Sequence, residues 1–162
     1  MRIRPAVVDD WPAIFPIWHT IVEAGETYAY PTGLKSDAAR AMWLEPHPWH
    51  VVVAVDDAGT VLGTAKVGPN RPARGAHIAT ASFMVDPGAH GRGIGRALGE
   101  YIVEWARSAG YHGIQFNAVV ATNTAAVTLW QSLGFEIIGT VPEAFDHRTA
   151  GLVGLHIMYR RL

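Results

Sequence analysis

The stretch Phe83 to Gly99, F-M-V-D-P-G-A-H-G-R-G-I-G-R-A-L-G, constrains this chain more than any other. Phe83, Met84 and Val85 are strand formers. Asp86-Pro87-Gly88 stops the strand, because Pro donates no N–H and Gly tolerates positive φ. Gly91, Gly93 and Gly95 then alternate with Arg92, Ile94 and Arg96. Glycine at every second position lets backbone N–H groups turn inward around an anion, and the following helix adds the positive end of its dipole. Strand, glycine loop and helix in that order point to a pyrophosphate or phosphate ligand. A ligand-free surface turn is the plain alternative, but three glycines at a helix start cost stability without a use.

The loop is not a dinucleotide fingerprint, since Gly93-x-Gly95 is followed by Leu98 where G-x-G-x-x-G needs a third Gly. Nor is it a nucleotide-triphosphate loop, since no Gly-Lys-Ser/Thr is present. His90-Gly91-Arg92-Gly93-Ile94-Gly95, preceded by Val85-Asp86-Pro87, resembles the acetyl-CoA loop [QR]-x-x-G-x-[GA] of the GNAT superfamily of N-acetyltransferases. It departs from that pattern at His90. A second stretch, F-N-A-V-V-A-T-N-T-A-A-V-T-L-W-Q-S-L-G-F from Phe116 to Phe135, resembles the family's N-x-x-A-x-x-[LF]-[YFHW]-x-x-x-G-F. Asn123, Ala126, Leu129, Trp130, Gly134 and Phe135 fall on it. This stretch is similar to fungal acetyltransferases of azetidine-2-carboxylate, and Gly25-Glu26-Thr27-Tyr28 is similar to phosphinothricin-type acetyltransferases. The resemblance is loose before residue 50 and tight from residue 77 on.

Read in order, the apolar periodicity places a strand over Ile3–Val8, with Asp9-Asp10 capping a helix to about Ala24. Pro12 suits the first turn, and Pro16 kinks the helix or delays its start. Leu34–Glu45 reads as a second helix, Val51–Val55 and Val61–Val67 as a hairpin, and His77–Val85 as the strand into the loop. A helix follows over Gly93–Ala109, then a strand over Gly113–Val119 and a helix capped by Asn123. Phe135–Val141 and Leu152–Arg160 are the last strands, joined by a loop. Strand 77–85, helix 93–109 and strand 113–119 make a β-α-β unit, which needs a parallel pair. The hairpin makes the sheet mixed. The expected fold is α/β, a GNAT fold with a six- to seven-stranded mixed sheet and about four helices, in one domain over residues 1–162.

Bulk properties exclude other classes. The 162 residues carry a net charge of −1, which gives no electrostatic argument for nucleic acid. With no cysteine there is no thiol nucleophile and no thiolate metal site. His47 and His50 are the one metal-like pair and lack a third ligand, so no metal is expected. No apolar run is long enough to span a membrane, and the N-terminus lacks a signal-peptide core; the expected location is the cytoplasm.

The resemblance implies direct attack of an acceptor amine on the thioester of acetyl-CoA. Met84 and Val85 would offer backbone to the pantetheine arm and an N–H to the oxyanion. His90, Gly91, Arg92, Gly93, Ile94, Gly95 and Arg96 would take the pyrophosphate, and Asn123 would cap its helix and contact the cofactor. Trp130 stands where the family often has a tyrosine that protonates the leaving thiolate, so that step does not carry over; Trp130 is expected to pack beside the cofactor. Glu26 is the expected general base, with a solvated loop charge as the alternative reading. Glu143, Asp146 and His147 are weaker candidates on the last loop. Asn117 is expected at the reacting centre. Tyr28, Thr80 and Tyr159 are expected to line the acceptor pocket, Thr80 standing where the fungal enzymes have an asparagine; Tyr30 is a further candidate. The acceptor is expected to be a small amino-acid-like amine; a peptide or protein N-terminus as acceptor, and a CoA-binding sensor domain without turnover, are the alternative readings. The family often forms homodimers.

Overall fold

The computed structural model describes residues 1–162. Seven strands form one sheet in the order β1-β2-β3-β4-β5-β7-β6, from β1 (Arg2–Pro5), β2 (His50–Val55), β3 (Val61–Pro69), β4 (Ile78–Val85), β5 (Gly113–Val120), β6 (Glu136–His147) and β7 (Gly151–Arg161). Four helices flank it: α1 (Trp11–Ala24), α2 (Ser36–Trp43), α3 (Ile94–Ser108) and α4 (Thr124–Ser132). The sheet is mixed, as expected. β4 and β5 are the parallel pair and α3 is their crossover; the other pairs are antiparallel.

The two faces of the sheet bury different layers. On one, Ile94, Leu98, Ile102 and Ala106 of α3 recur at helical spacing and pack with Trp130 of α4 over Ala65, Ala79 and Ile114. On the other, Ile14, Trp18 and Val22 of α1 and Trp43 of α2 pack on Val53, Val55 and Met84. Gly99 lets α3 and α4 approach closely: a Cβ there would lie 2.5 Å from Leu133 Cδ1 and 3.1 Å from Trp130 Cζ3.

Expectations shift at several points along the first two helices and β1. β1 stops at Pro5 rather than Val8, because Asp10 turns the chain. Its carboxylate accepts both Arg4 guanidinium N–H groups at 2.7 Å and the Val7 N–H at 2.8 Å. The Asp9-Asp10 pair thus makes a 3-10 turn into α1, and no side chain caps that helix. Pro16 lies inside α1, which runs through it to Gly25 at φ 65°. α2 is two residues shorter at each end than Leu34–Glu45.

The expected loop from Pro142 to Gly151 is instead mostly strand. β6 continues to His147 and turns tightly into β7, with His147 Nδ1 accepting the Thr149 and Ala150 N–H groups, each at 3.2 Å. Proline ends central strands, yet Pro142 does not end β6. β6 is an edge strand, and the Pro sits in an irregularity between Val141 and Phe145 where pairing is interrupted anyway. No helix is long and apolar enough to cross a membrane.

Candidate active site

β4 and β5 are paired only at Ile78–Gly113 and Ala79–Ile114. Beyond those rungs the strands splay, leaving β4 from Thr80 to Val85 open on its β5 side. The β3–β4 register settles which backbone groups face the opening. Asn70 N–H donates to Ile78 C=O and Asp86 N–H to Leu62 C=O, so by alternation Thr80, Ser82 and Met84 bond β3. Ala81, Phe83 and Val85 therefore face the splay. This corrects the expectation for Met84: its backbone points into the sheet and its side chain is buried. Val85 keeps its place on the open edge.

The glycine loop closes the mouth of the splay. Gly91 and Gly93 both have φ of 76°, and a Cβ on either would meet nothing within 4 Å, so glycine is needed there for backbone conformation. Gly95 has a packing reason instead: a Cβ would lie 3.3 Å from Leu129 Cδ2. Gly93 precedes α3 and no side chain caps the helix, so its first N–H groups point outward from the dipole's positive end. Ile94 is buried and anchors the helix start, while His90 and Arg92 are exposed. Arg92 lies near Asp56 of the β2–β3 turn. Arg96 is directed along the surface, donating to Ser132 Oγ at 2.8 Å and facing Glu100 at 3.6 Å. The nest can therefore hold an anion with backbone donors, with His90 and Arg92 at its rim.

The α4 side of the splay is an aromatic wall. Trp130 packs on Phe83 at 4.6 Å and Phe116 at 5.0 Å between ring centroids. It is nine-tenths buried or more. Asn123 caps α4, accepting the Ala126 N–H at 3.2 Å through Oδ1, which leaves its Nδ2 for another partner.

The α1–α2 side is polar. Asn117 stands in a bulge where Asn117 and Ala118 of β5 oppose Ile157 alone. Its Nδ2 donates to Asn70 Oδ1 at 2.6 Å and lies 3.4 Å from Thr80 Oγ1, and its Oδ1 accepts Gln115 Nε2 at 2.9 Å. Asn70 and Gln115 had no sequence signal: each is a lone amide, and only the sheet register brings them together. Tyr28 reaches from the α1–α2 segment to the open edge, where its hydroxyl bonds both Phe83 backbone groups. Burial pushes the Tyr28 phenol well up, and the Tyr30 phenol up to about 12, with the Glu45 carboxylate adding to the second.

The remaining candidates make no hydrogen bond to this cluster. Glu26 is exposed, at the point where the α1–α2 segment meets the β6–β7 turn through Arg148 N–H to Gly25 C=O at 3.0 Å. Glu143 and Asp146 lie on β6 rather than on a loop, and His147 is held in its turn. Tyr159 lies against Gly113, at the paired end of β4 and β5 away from the splay. A separate depression of about 420 Å³, lined by His50, His77, Trp105 and Tyr111 among others, sits at the far end of α3 from the glycine loop. No group of three His, Cys, Asp or Glu residues could hold a metal.

The site is thus a splayed parallel pair with a glycine loop at its mouth. The family model described as acetyltransferase (GNAT) family matches residues 9–135. The chain belongs to that family. It is 57% identical, with a TM-score of 0.97, to a solved GCN5-related N-acetyltransferase from Kribbella flavida, covering 99% of this chain and 97% of that one. The yncA protein of Salmonella typhimurium, solved with its cofactor acetyl-CoA, superposes with a TM-score of 0.85 at 26% identity, covering 100% of this chain and 94% of that one. The L-methionine sulfoximine/L-methionine sulfone acetyltransferase of Pseudomonas aeruginosa is 35% identical over 146 residues, 87% of this chain and 83% of that protein. N-acetyltransferase aca1 of Schizosaccharomyces pombe is 33% identical over 137 residues; the match takes in 76% of this chain and 66% of aca1's length. As a GNAT member the chain is an N-acetyltransferase whose co-substrate is acetyl-CoA.

Proposed function

We propose that residues 1–162 form a single catalytic domain that transfers the acetyl group of acetyl-CoA directly to the amine of a small amino-acid-like acceptor. The carrying observation is the β4–β5 splay, with the Gly91–Gly95 nest at its mouth and the Asn70–Asn117–Thr80 amide and hydroxyl cluster inside it. The pyrophosphate sits on the loop N–H groups from Gly91 to Arg96, flanked by His90, Arg92 and the free amide of Asn123. The pantetheine arm pairs with the open edge at Val85 and runs between the Trp130–Phe83 wall and the polar face. Asn117 orients the acceptor, because an amide can meet both a carboxylate and an amine. Glu26 takes the amine's proton through water. Without a cysteine, attack on the thioester is direct.

The similarity to an acetyltransferase of methionine sulfoximine supports an amino-acid-like acceptor. The domain acts in the cytoplasm on a free small molecule, with neither nucleic acid nor membrane as partner. Its assembly is a homodimer, for which the open β6 edge, with Ile138 and Val141 exposed, is the supporting feature.

The test is thiol release from acetyl-CoA over a panel of free amino acids, methionine sulfoximine, azetidine-2-carboxylate, phosphinothricin-like acids and short peptides. Turnover confined to free amino-acid-like amines supports the proposal. Turnover of peptides in preference to them, or stabilisation by CoA with no turnover, overturns it.

A further inference from the structure

The open edge of β4 is not empty at Phe83. The Tyr28 hydroxyl accepts the Phe83 N–H at 2.9 Å and donates to the Phe83 C=O at 2.7 Å. The ring is held by stacking on Tyr30, with centroids 5.5 Å apart and planes within 3°, and by the Trp43 edge at 6.5 Å. A phenol oxygen has two lone pairs and one proton. One lone pair is committed to Phe83 N–H, which fixes the oxygen, whereas the proton can turn to another acceptor. Burial keeps that proton on the phenol.

The direction of the cofactor arm then matters. With the pyrophosphate at the loop, an arm running back along β4 meets Val85 first and Phe83 two residues deeper, about 7 Å further on. One oxygen cannot reach both donors. If Val85 serves an amide of the arm, the thioester beyond it comes to rest where the Tyr28 hydroxyl fills the edge, opposite the Phe83–Trp130 wall.

We propose that the Tyr28 hydroxyl is the oxyanion donor, positioned by the Phe83 N–H; this rests on the N-acetyltransferase reading above. As the acceptor nitrogen bonds to the acetyl carbon, the carbonyl π pair moves onto oxygen. The Tyr28 O–H turns from the Phe83 carbonyl to that oxygen without giving up its proton. Collapse restores the carbonyl, breaks the C–S bond and leaves the electron pair on sulfur. The attacking nitrogen loses its extra proton to water, and the CoA thiolate takes one from water.

Tyr28→Phe keeps the ring and removes the donor. Loss of one preorganised oxyanion donor costs on the order of 10²-fold in kcat. The expected result is that loss, with the CoA dissociation constant by calorimetry within threefold of wild type and the KM for acetyl-CoA little changed. A kcat within twofold of wild type overturns the proposal, as does a loss that appears in cofactor affinity rather than kcat.

A second measurement needs no variant. The infrared carbonyl band of acetyl-CoA labelled with ¹³C at the acetyl carbonyl should shift down on binding to wild type, as a donor engages the oxygen; an unshifted band overturns the proposal even if Tyr28→Phe does not fold. Failure of the parent reading looks different: wild type then acetylates no amine, whether or not it binds acetyl-CoA, and the inference falls with it.

Discussion

Lys66 is a charge in an apolar place, and its energetics can be worked from its neighbours. Its side chain is 7% exposed and crosses the α1–α2 face of the sheet, with Nζ 5.6 Å from the Trp43 ring centroid and 4.9 Å from that of Trp49. The ammonium donates to Met42 C=O at 2.7 Å and is paired with the Glu45 carboxylate, whose side chain is 30% exposed. Glu45→Gln removes the counter-charge and leaves the ammonium buried among neutral acceptors and two ring faces. Removing one partner of a fully buried pair costs roughly 3–5 kcal/mol. Water reaches Glu45, so the expected cost is about 2 kcal/mol. Lys66→Met removes the buried charge itself and keeps a flexible stem between the two indoles, and Glu45 can be hydrated. It should stay within about 1 kcal/mol of wild type. The double variant should resemble Lys66→Met rather than the sum, because Glu45 has lost the partner that made it matter. Urea unfolding followed by circular dichroism, with an unchanged m-value, measures all three. If Lys66→Met costs as much as Glu45→Gln, or the double variant is additive, the ammonium is not the liability argued here.

Asn117→Ala should raise the acceptor KM about tenfold, the value of roughly one hydrogen bond, and leave CoA affinity by calorimetry unchanged. Gly93→Ala forces an L-residue to φ 76° in the anion nest, and should weaken CoA binding at least tenfold in the same titration. Gly63→Ala places a Cβ 2.9 Å from the Met84 carbonyl oxygen and should cost about 2 kcal/mol in urea unfolding, the backbone atom being unable to step aside. The Arg4 hydrogen bond, aided by the Val7 N–H and opposed by burial, holds the Asp10 carboxyl below its ordinary range. Its folded pKa lies below its unfolded one, so the stabilisation is present above about pH 4 and lost as pH falls through the folded value. Asp10→Asn should therefore be less stable at pH 7 by about 2 kcal/mol, with the gap closing toward pH 2 in thermal unfolding.

The helices were legible because their apolar stripes recur at helical spacing and glycines close them: α1 ends at Gly25 and α3 just before Gly110. The β-α-β unit was legible because a crossover admits only one pairing. Where the reading slipped, a residue with a strong local habit stood in a permissive place. Pro142 is tolerated because β6 is an edge strand with a break in its pairing, and strand position is a property of the whole sheet. Val8 looks like strand, but Asp10, reached by Arg4 from within β1, takes the chain away after Pro5.

The site divides along the same line. The anion nest is local: Gly91, Gly93 and Gly95 lie within five residues, and a motif can carry them. The edge proposed for the acyl group is assembled across the fold. Whether Met84 or Val85 faces the opening depends on the phase of the β3–β4 ladder, which Asn70–Ile78 and Asp86–Leu62 set at its two ends. A one-residue slip would exchange the two. Tyr28 and Phe83 are 55 residues apart, and nothing in either neighbourhood records that one hydroxyl satisfies both backbone groups of the other. That contact also removes an energetic objection to the splay. Two strands that part should leave buried donors and acceptors unpaired, at a cost of about 1–3 kcal/mol for each group. At Phe83 the phenol meets both groups at once. The opening can therefore stand at that point without an unpaired backbone group, and a ligand that displaces the phenol's proton from the Phe83 carbonyl must supply an acceptor at least as good. A carbonyl oxygen gathering negative charge is such an acceptor, and it improves as the transition state is approached, which is the direction catalysis requires.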